Sequence, residues 1–206
     1  TAKAALCTVP NPVNGFVVST NPSNGATNIP LNTTTITVIF NQPMITTGAE
    51  SVLEIGKYEL KNQSNGNKVT ITGVTYDPVT YTSNLTIDAS DPDWQAGTLF
   101  NITIKNLKNA CGDAQNDVIR SFTTELEISG QVTNNLDSKG IYGVTITLSG
   151  TNCGGVCGTT TTDLNGNLRF LGYDQGSYTL DETDLSGYSS VSDSDGGDAN
   201  QILLTL

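Results

Sequence analysis

The sequence predicts an all-β protein made of two tandem β-sandwiches. Three observations predict it. Apolar residues recur at every second position through short stretches, the signature of strands with one buried face. Turn chemistry built on Gly, Asn, Asp and Pro separates those stretches at short intervals, while strong helix formers in sequence are scarce. Finally, the 206 residues divide by composition: positions 1–124 hold seven basic and nine acidic side chains, and positions 125–206 hold two and eleven. Each part is long enough to bury its own core.

The elements follow in order. Residues 1–16, with Pro10, Pro12 and Asn14-Gly15, read as an N-terminal arm. Residues 17–124 form the first unit and 125–206 the second. Ser23-Asn24-Gly25 is a turn, after which Ile36, Val38 and Phe40 mark the buried phase of a strand. Strands over 54–61 and 69–76 flank Ser64-Asn65-Gly66-Asn67, a hairpin signal because such turns need positive φ. Leu85 and Ile87 form a short strand. Phe100, Ile102 and Ile104 face one way in the next, and Ser121-Phe122-Thr123-Thr124 closes the unit.

In the second unit a strand over 128–133 comes first, then Val144, Ile146 and Leu148 alternate with threonines. Cys153 and Cys157 bracket a glycine-rich tip. Thr159 to Thr162 lead into Asp163-Leu164-Asn165-Gly166, read as a hairpin turn to a strand with Leu168 and Phe170. Tyr178 and Leu180 mark one more strand, and Ile202, Leu204 and Leu206 the last.

Composition excludes several functions. A formal charge of −11 and the lack of a basic stripe oppose a nucleic-acid partner, whose phosphates need clustered Lys and Arg. No run of about 18 apolar residues exists to span a membrane. Histidine is absent, which removes the commonest general base and zinc ligand and every imidazole triad. The four cysteines of an acidic, Thr- and Asn-rich β protein point to an extracellular setting and disulfides. Metal is the rival reading for Cys153 and Cys157, but no second pair lies nearby to complete a tetrahedral site.

Two resemblances follow from particular residues. Thr20-Asn21-Pro22-Ser23-Asn24-Gly25-Ala26-Thr27-Asn28-Ile29-Pro30-Leu31, then Ile36-Thr37-Val38-Ile39-Phe40-Asn41-Gln42-Pro43-Met44, resemble the bacterial Ig-like domain of S-layer proteins and adhesins, as does the stretch from Gly112-Asp113 to Ser121-Phe122-Thr123-Thr124. Ile128-Ser129-Gly130-Gln131-Val132-Thr133, Gly143 to Leu148, Thr161 to Phe170, Gly176 to Leu180 and Gly187 to Val191 resemble the prealbumin-like B-type repeats of collagen and serine-aspartate adhesins. The resemblances imply an Ig-like sandwich followed by a prealbumin-like one, in stalks, spacers or adhesin parts without catalysis. B-type domains often carry a Lys–Asn cross-link with the lysine in the first strand; here that strand holds Gln131, and Lys139 lies in the loop after it.

Candidate sites remain. Asp193, Asp195 and Asp198 alternate around Gly196-Gly197, a pattern that can turn carboxylates to one side of a tight loop and offer oxygens to calcium; the bland reading is a solvated acidic turn. No other cofactor is expected. Asp88, Asp91 and Asp93 form a weaker cluster of the same kind. Asp181, Glu182 and Asp184 could suggest paired glycosidase acids, but a solvated strand end explains them better in a chain with one tryptophan, Trp94, itself read as a packing residue. Cys153 is expected to pair with Cys157, and Cys7 with Cys111, within one chain or between neighbours. Asn32, Asn62, Asn84 and Asn101 each begin an Asn-x-Ser/Thr sequon and are glycosylation candidates. The expected function is an extracellular structural subunit of a cell-surface filament, S-layer or adhesin stalk, contacting copies of itself through the N-terminal arm and sheet edges. The alternative is a ligand- or carbohydrate-binding accessory module of a larger secreted enzyme or adhesin.

Overall fold

A computed structural model describes residues 15–206 as two compact units, the first running to Glu125 and the second from Leu126 to Leu206. The first unit contains β1 (Val17–Asn21), β2 (Ala26–Ile29), β3 (Thr35–Phe40), β4 (Tyr58–Asn62), β5 (Lys68–Val69), β6 (Ile71–Asp77), β7 (Thr82–Ile87), β8 (Leu99–Ile104) and β9 (Val118–Thr124). They make two sheets, of order β1-β3-β7-β6 and β2-β9-β8-β4-β5. Pairing is antiparallel except between β2 and β9, which run parallel. The period-two pattern sets which face is buried. Ile36, Val38 and Phe40 from one sheet meet Phe100, Ile102, Ile104 and Phe122 from the other, all at or near zero exposure. Each such side chain is worth roughly 1.5–3 kcal/mol of transfer free energy.

The stretch read as one strand over 69–76 is two. Lys68 and Val69 pair with β4 across the Ser64–Asn67 turn, and the chain then crosses to the opposite sheet as β6. Thr70 is the crossing point. Its N–H and its hydroxyl both donate to Asp91 Oδ2, at 2.8 and 2.7 Å, so an acidic loop supplies the bonds the ladder gives up. Upstream, Ile55–Lys57 forms a 3-10 turn, and the strand begins only at Tyr58.

The second unit contains β10 (Leu126–Gln131), β11 (Thr145–Gly150), β12 (Gly155–Thr161), β13 (Asn167–Tyr173), β14 (Ser177–Thr183) and β15 (Gln201–Thr205). One sheet has the order β12-β11-β14-β15, and β10 and β13 form the other. Ile128, Ile146, Leu148, Leu168, Phe170, Tyr178 and Leu180 fill the space between.

Here a hairpin expectation fails. The turn at Asp163–Gly166 forms, with Asp163 Oδ1 accepting the N–H groups of Asn165 and Asn167, yet β12 pairs with β11 and β13 with β10. The turn is a corner between sheets. Buried Thr162 drives the crossing: its hydroxyl accepts the Val144 N–H at 2.9 Å and donates to the Ile141 carbonyl at 2.6 Å. At the corner the backbones of Gly140 and Gly166 nearly touch. A Cβ on Gly166 would lie 2.2 Å from the Val132 oxygen, and its φ is +78°, so only glycine fits.

Candidate functional site

The second unit has an open flank. Its four-stranded sheet is wider than the two-stranded sheet facing it, so the inner face of β14 and β15 lacks a covering strand beside β10. A cleft of about 770 Å³ occupies that place. Consecutive residues from Glu127 through Asn135 form one wall, and Leu180, Ile202, Leu204 and Leu206 form much of the floor. Among the described strands β10 pairs with β13 alone, so its other backbone edge faces the cleft. Tyr178, Leu180 and Glu182 alternate inward along β14, which brings the Glu182 carboxyl into an otherwise apolar wall. Burial pushes its pKa up, against a hydrogen bond from Ser190. Among the described residues no basic side chain lines the cleft.

The acidic tip borders this cleft; the Asp193 and Asp195 side chains interact with each other, but the three carboxylates are not gathered into one site. Asp193 Oδ1 accepts the Gly196 N–H at 2.8 Å, and Asp198 Oδ1 accepts the Asn200 N–H at 3.1 Å. Asp195 accepts from Gly197 at 3.1 Å and from Leu203 at 2.8 Å, which caps part of the outer edge of β15. Those N–H groups hold its carboxyl below the usual range. Among the described residues no group of three or more acidic or cysteine side chains is placed to hold a metal ion. Each aspartate serves its own turn, and calcium at the tip is left as a proposal for measurement in solution.

The second acidic cluster is likewise spent on structure. Asp88 caps Ser90, Asp91 holds Thr70, and Asp93 Oδ1 accepts from Asn65 and Asn67 at 2.8 and 3.1 Å. Asp181 accepts from Gln201, and Asp184 from Ser190. Trp94 is buried against Phe100 and Phe122, with ring centroids 4.7 and 6.1 Å away, and its Nε1 donates to the Leu31 carbonyl. It is a core residue, not a platform.

The sequons separate by burial. Asn32 and Asn84 are exposed and Asn101 is half-buried. Asn62 is fully buried. Its Nδ2 donates to the Asp93 carbonyl at 2.9 Å, and its Oδ1 accepts the Ser64 N–H at 2.8 Å. A glycan there would require that bond set to be dismantled, so Asn62 leaves the list of candidates. Sequence reading placed it beside a turn and missed that its side chain points into the fold, although its even spacing from Tyr58 and Leu60 carried that signal. Cys153 and Cys157 are joined as a disulfide across the glycine-rich tip, with Cα atoms 5.3 Å apart. Cys7 lies outside the described residues, and its pairing with Cys111 is a proposal.

Residues 14–124 match the bacterial Ig-like domain family, and residues 127–202 match the SdrD B-like domain. The chain belongs to the bacterial Ig-like domain family. Both resemblances read from the sequence therefore hold, in the order expected. These are adhesin-type domains of surface proteins, generally non-enzymatic. The chain is 32% identical over 162 residues to serine-aspartate repeat-containing protein F of Staphylococcus epidermidis, across 74% of this chain and 9% of that protein. It thus spans less than a tenth of that relative's length. Among solved structures, it is similar to the N-terminal part of the bacterial S-layer protein SbsC, with 12% identity and a TM-score of 0.40, covering 92% of this chain and 43% of that one. It is also similar to the pilus 2b backbone protein of group B streptococcus, at 15% identity and a TM-score of 0.35 over 87% of each chain. Among the described residues no helix is long and apolar enough to cross a membrane.

Proposed function

We propose that this chain is an extracellular, non-catalytic building block of a cell-surface assembly, joined to copies of itself through its N-terminal arm and sheet edges. The observation that carries the reading is the tandem of an Ig-like and an SdrD B-like unit with a strand edge left open onto a cleft that has an aliphatic floor. Open edges are ready templates for pairing with another chain, and natural proteins leave them long and apolar only where something covers them. A contact between different surfaces of two copies is heterologous, so it propagates into a filament or sheet instead of closing as a dimer. The polar side chains that resembled catalytic or metal sites are committed to turns, which suits a stalk more than an enzyme. Negative-stain microscopy of the native material tests the proposal. Filaments or sheets are the expected result, and dispersed single particles at high protein concentration would refute it.

A further inference from the structure

We infer that the Cys153–Cys157 disulfide is a redox latch on β12. Oxidised, it holds a bulge that blunts this edge of the four-stranded sheet. Reduced, it lets the start of the strand slip by one residue into a straight edge.

Register is the first ground. Thr161, Thr160, Thr159 and Gly158 of β12 stand opposite Thr145, Ile146, Thr147 and Leu148 of β11, but Val156, not Cys157, stands opposite Ser149. Cys157 is thus the extra residue of a bulge. Its carbonyl accepts the Tyr173 hydroxyl at 3.4 Å, and its side chain packs against the core of the second unit. Its sulfur is tied to Cys153, in the turn that feeds the strand. Passing the extra residue into that turn would swing the Cys157 side chain to the outer face of the sheet, which the bond to Cys153 resists.

The edge is the second ground. Among the described strands β12 pairs with β11 alone. Its residues, Gly155-Val156-Cys157-Gly158-Thr159-Thr160-Thr161, include no charge and no proline. Natural edges are guarded by charged side chains, by proline, by shortness, by a cover or by a bulge. The opposite edge, β15, has the Asp195 carboxylate on its Leu203 N–H. A bulge is the guard left to β12.

Side-chain burial is the third ground. Val156 is 67% exposed in the bulged register. A slip by one residue turns it inward, opposite Gly150. Gly150 has no side chain to contest the place, and the Tyr178 ring lies 2.6 Å from where its Cβ would be. A hollow of about 640 Å³, lined in part by Gly150, Gly155, Tyr178 and Leu204, borders this position. Burying a valine favours the straight register, and the disulfide withholds it. Release needs a reductant, here a small dithiol. The S–S bond breaks, each sulfur takes one electron and one proton, and the dithiol closes to its own disulfide. Cys153 is exposed to such a reagent.

The test compares the oxidised chain, the chain in dithiothreitol, and Cys153→Ser/Cys157→Ser, which leaves Cys7 and Cys111 untouched. Cross-strand proton contacts are read by NMR, with Leu148–Gly158 as the report of an intact sheet. The expected result is a Ser149–Val156 contact in the oxidised chain, replaced by Gly150–Val156 in the other two and restored on reoxidation. The Cys157 thiol of the reduced chain should then react with iodoacetamide as fast as that of Cys153. Adding Val156→Ser to the double variant removes the gain from burial and should bring position 156 back opposite Ser149. A Ser149–Val156 contact that survives reduction would overturn the latch. Loss of both contacts with Leu148–Gly158 kept would show a frayed tip and overturn the slip. Unfolding of the second unit in both reduced chain and double variant would make the bond a plain staple, and would overturn the inference as well.

Discussion

Asn62→Leu is the most informative perturbation of the first unit. Leucine has the same number of side-chain heavy atoms and the same branching as asparagine, though it is bulkier, and it has neither donor nor acceptor. The substitution leaves the Asp93 carbonyl and the Ser64 N–H, now bonded to Asn62 at 2.9 and 2.8 Å, without partners. An orphaned buried polar group costs about 1–3 kcal/mol; these two bonds are only part-buried and Ser64 is exposed, so the pair together is expected to cost about 1–3 kcal/mol. That is a large share of the roughly 5–15 kcal/mol typical of a whole domain. Weaker bonds from Asn65 N–H and to Gln95 Oε1, at 3.4 and 3.5 Å, add little. Trp94, the single tryptophan, lies in the core of this unit one residue from Asp93, so its fluorescence during urea unfolding reports the first unit alone. Asn84→Ala, at an exposed position whose one side-chain bond is to Thr37, is the control and should change stability by less than about 0.5 kcal/mol. A loss below about 0.5 kcal/mol for Asn62→Leu, or a glycan on Asn62 in folded protein, would refute the reasoning.

Three other outcomes are expected. Glu59, bonded to Lys105 and Lys68 at 2.7 and 2.6 Å, has its pKa lowered to about 2 by those hydrogen bonds and charges; its contribution is full above the ordinary glutamate range and is lost as pH falls from about 4.5 to about 2. Acid titration of Trp94-detected stability should therefore show a component in that window that Glu59→Gln removes, and an unchanged profile would count against it. Replacing Cys153 and Cys157 by serine should cost the second unit about 2 kcal/mol, from the chain-entropy cost of a five-residue ring; non-reducing peptide mapping should find the pair joined, and the same map tests Cys7 with Cys111. Asp195→Ala should lower the melting temperature of the second unit equally in calcium and in chelator, because it caps Gly197 and Leu203; a loss seen only in calcium would establish the metal site instead.

The strands and the buried face of each were legible in the sequence because a period of two is a local property. Ile36, Val38 and Phe40 could face only one way, as could Phe100, Ile102 and Ile104, whatever lay opposite. The turns were legible for the same reason, since Asn65-Gly66 and Asn165-Gly166 fix backbone angles within a few residues. Destination was not. Two turns of like chemistry end differently: the one at Ser64–Asn67 closes a hairpin, while the one at Asp163–Gly166 sends the chain to the other sheet. Thr162 decides the second through bonds to Ile141 and Val144, and Thr70 makes its crossing on Asp91, about twenty residues downstream. The open flank beside β10 belongs to the same class, as does the bond that Asn62 makes to the Asp93 carbonyl. Each depends on which segments meet in space, and partners far apart in the chain leave no periodic trace in the residues between them.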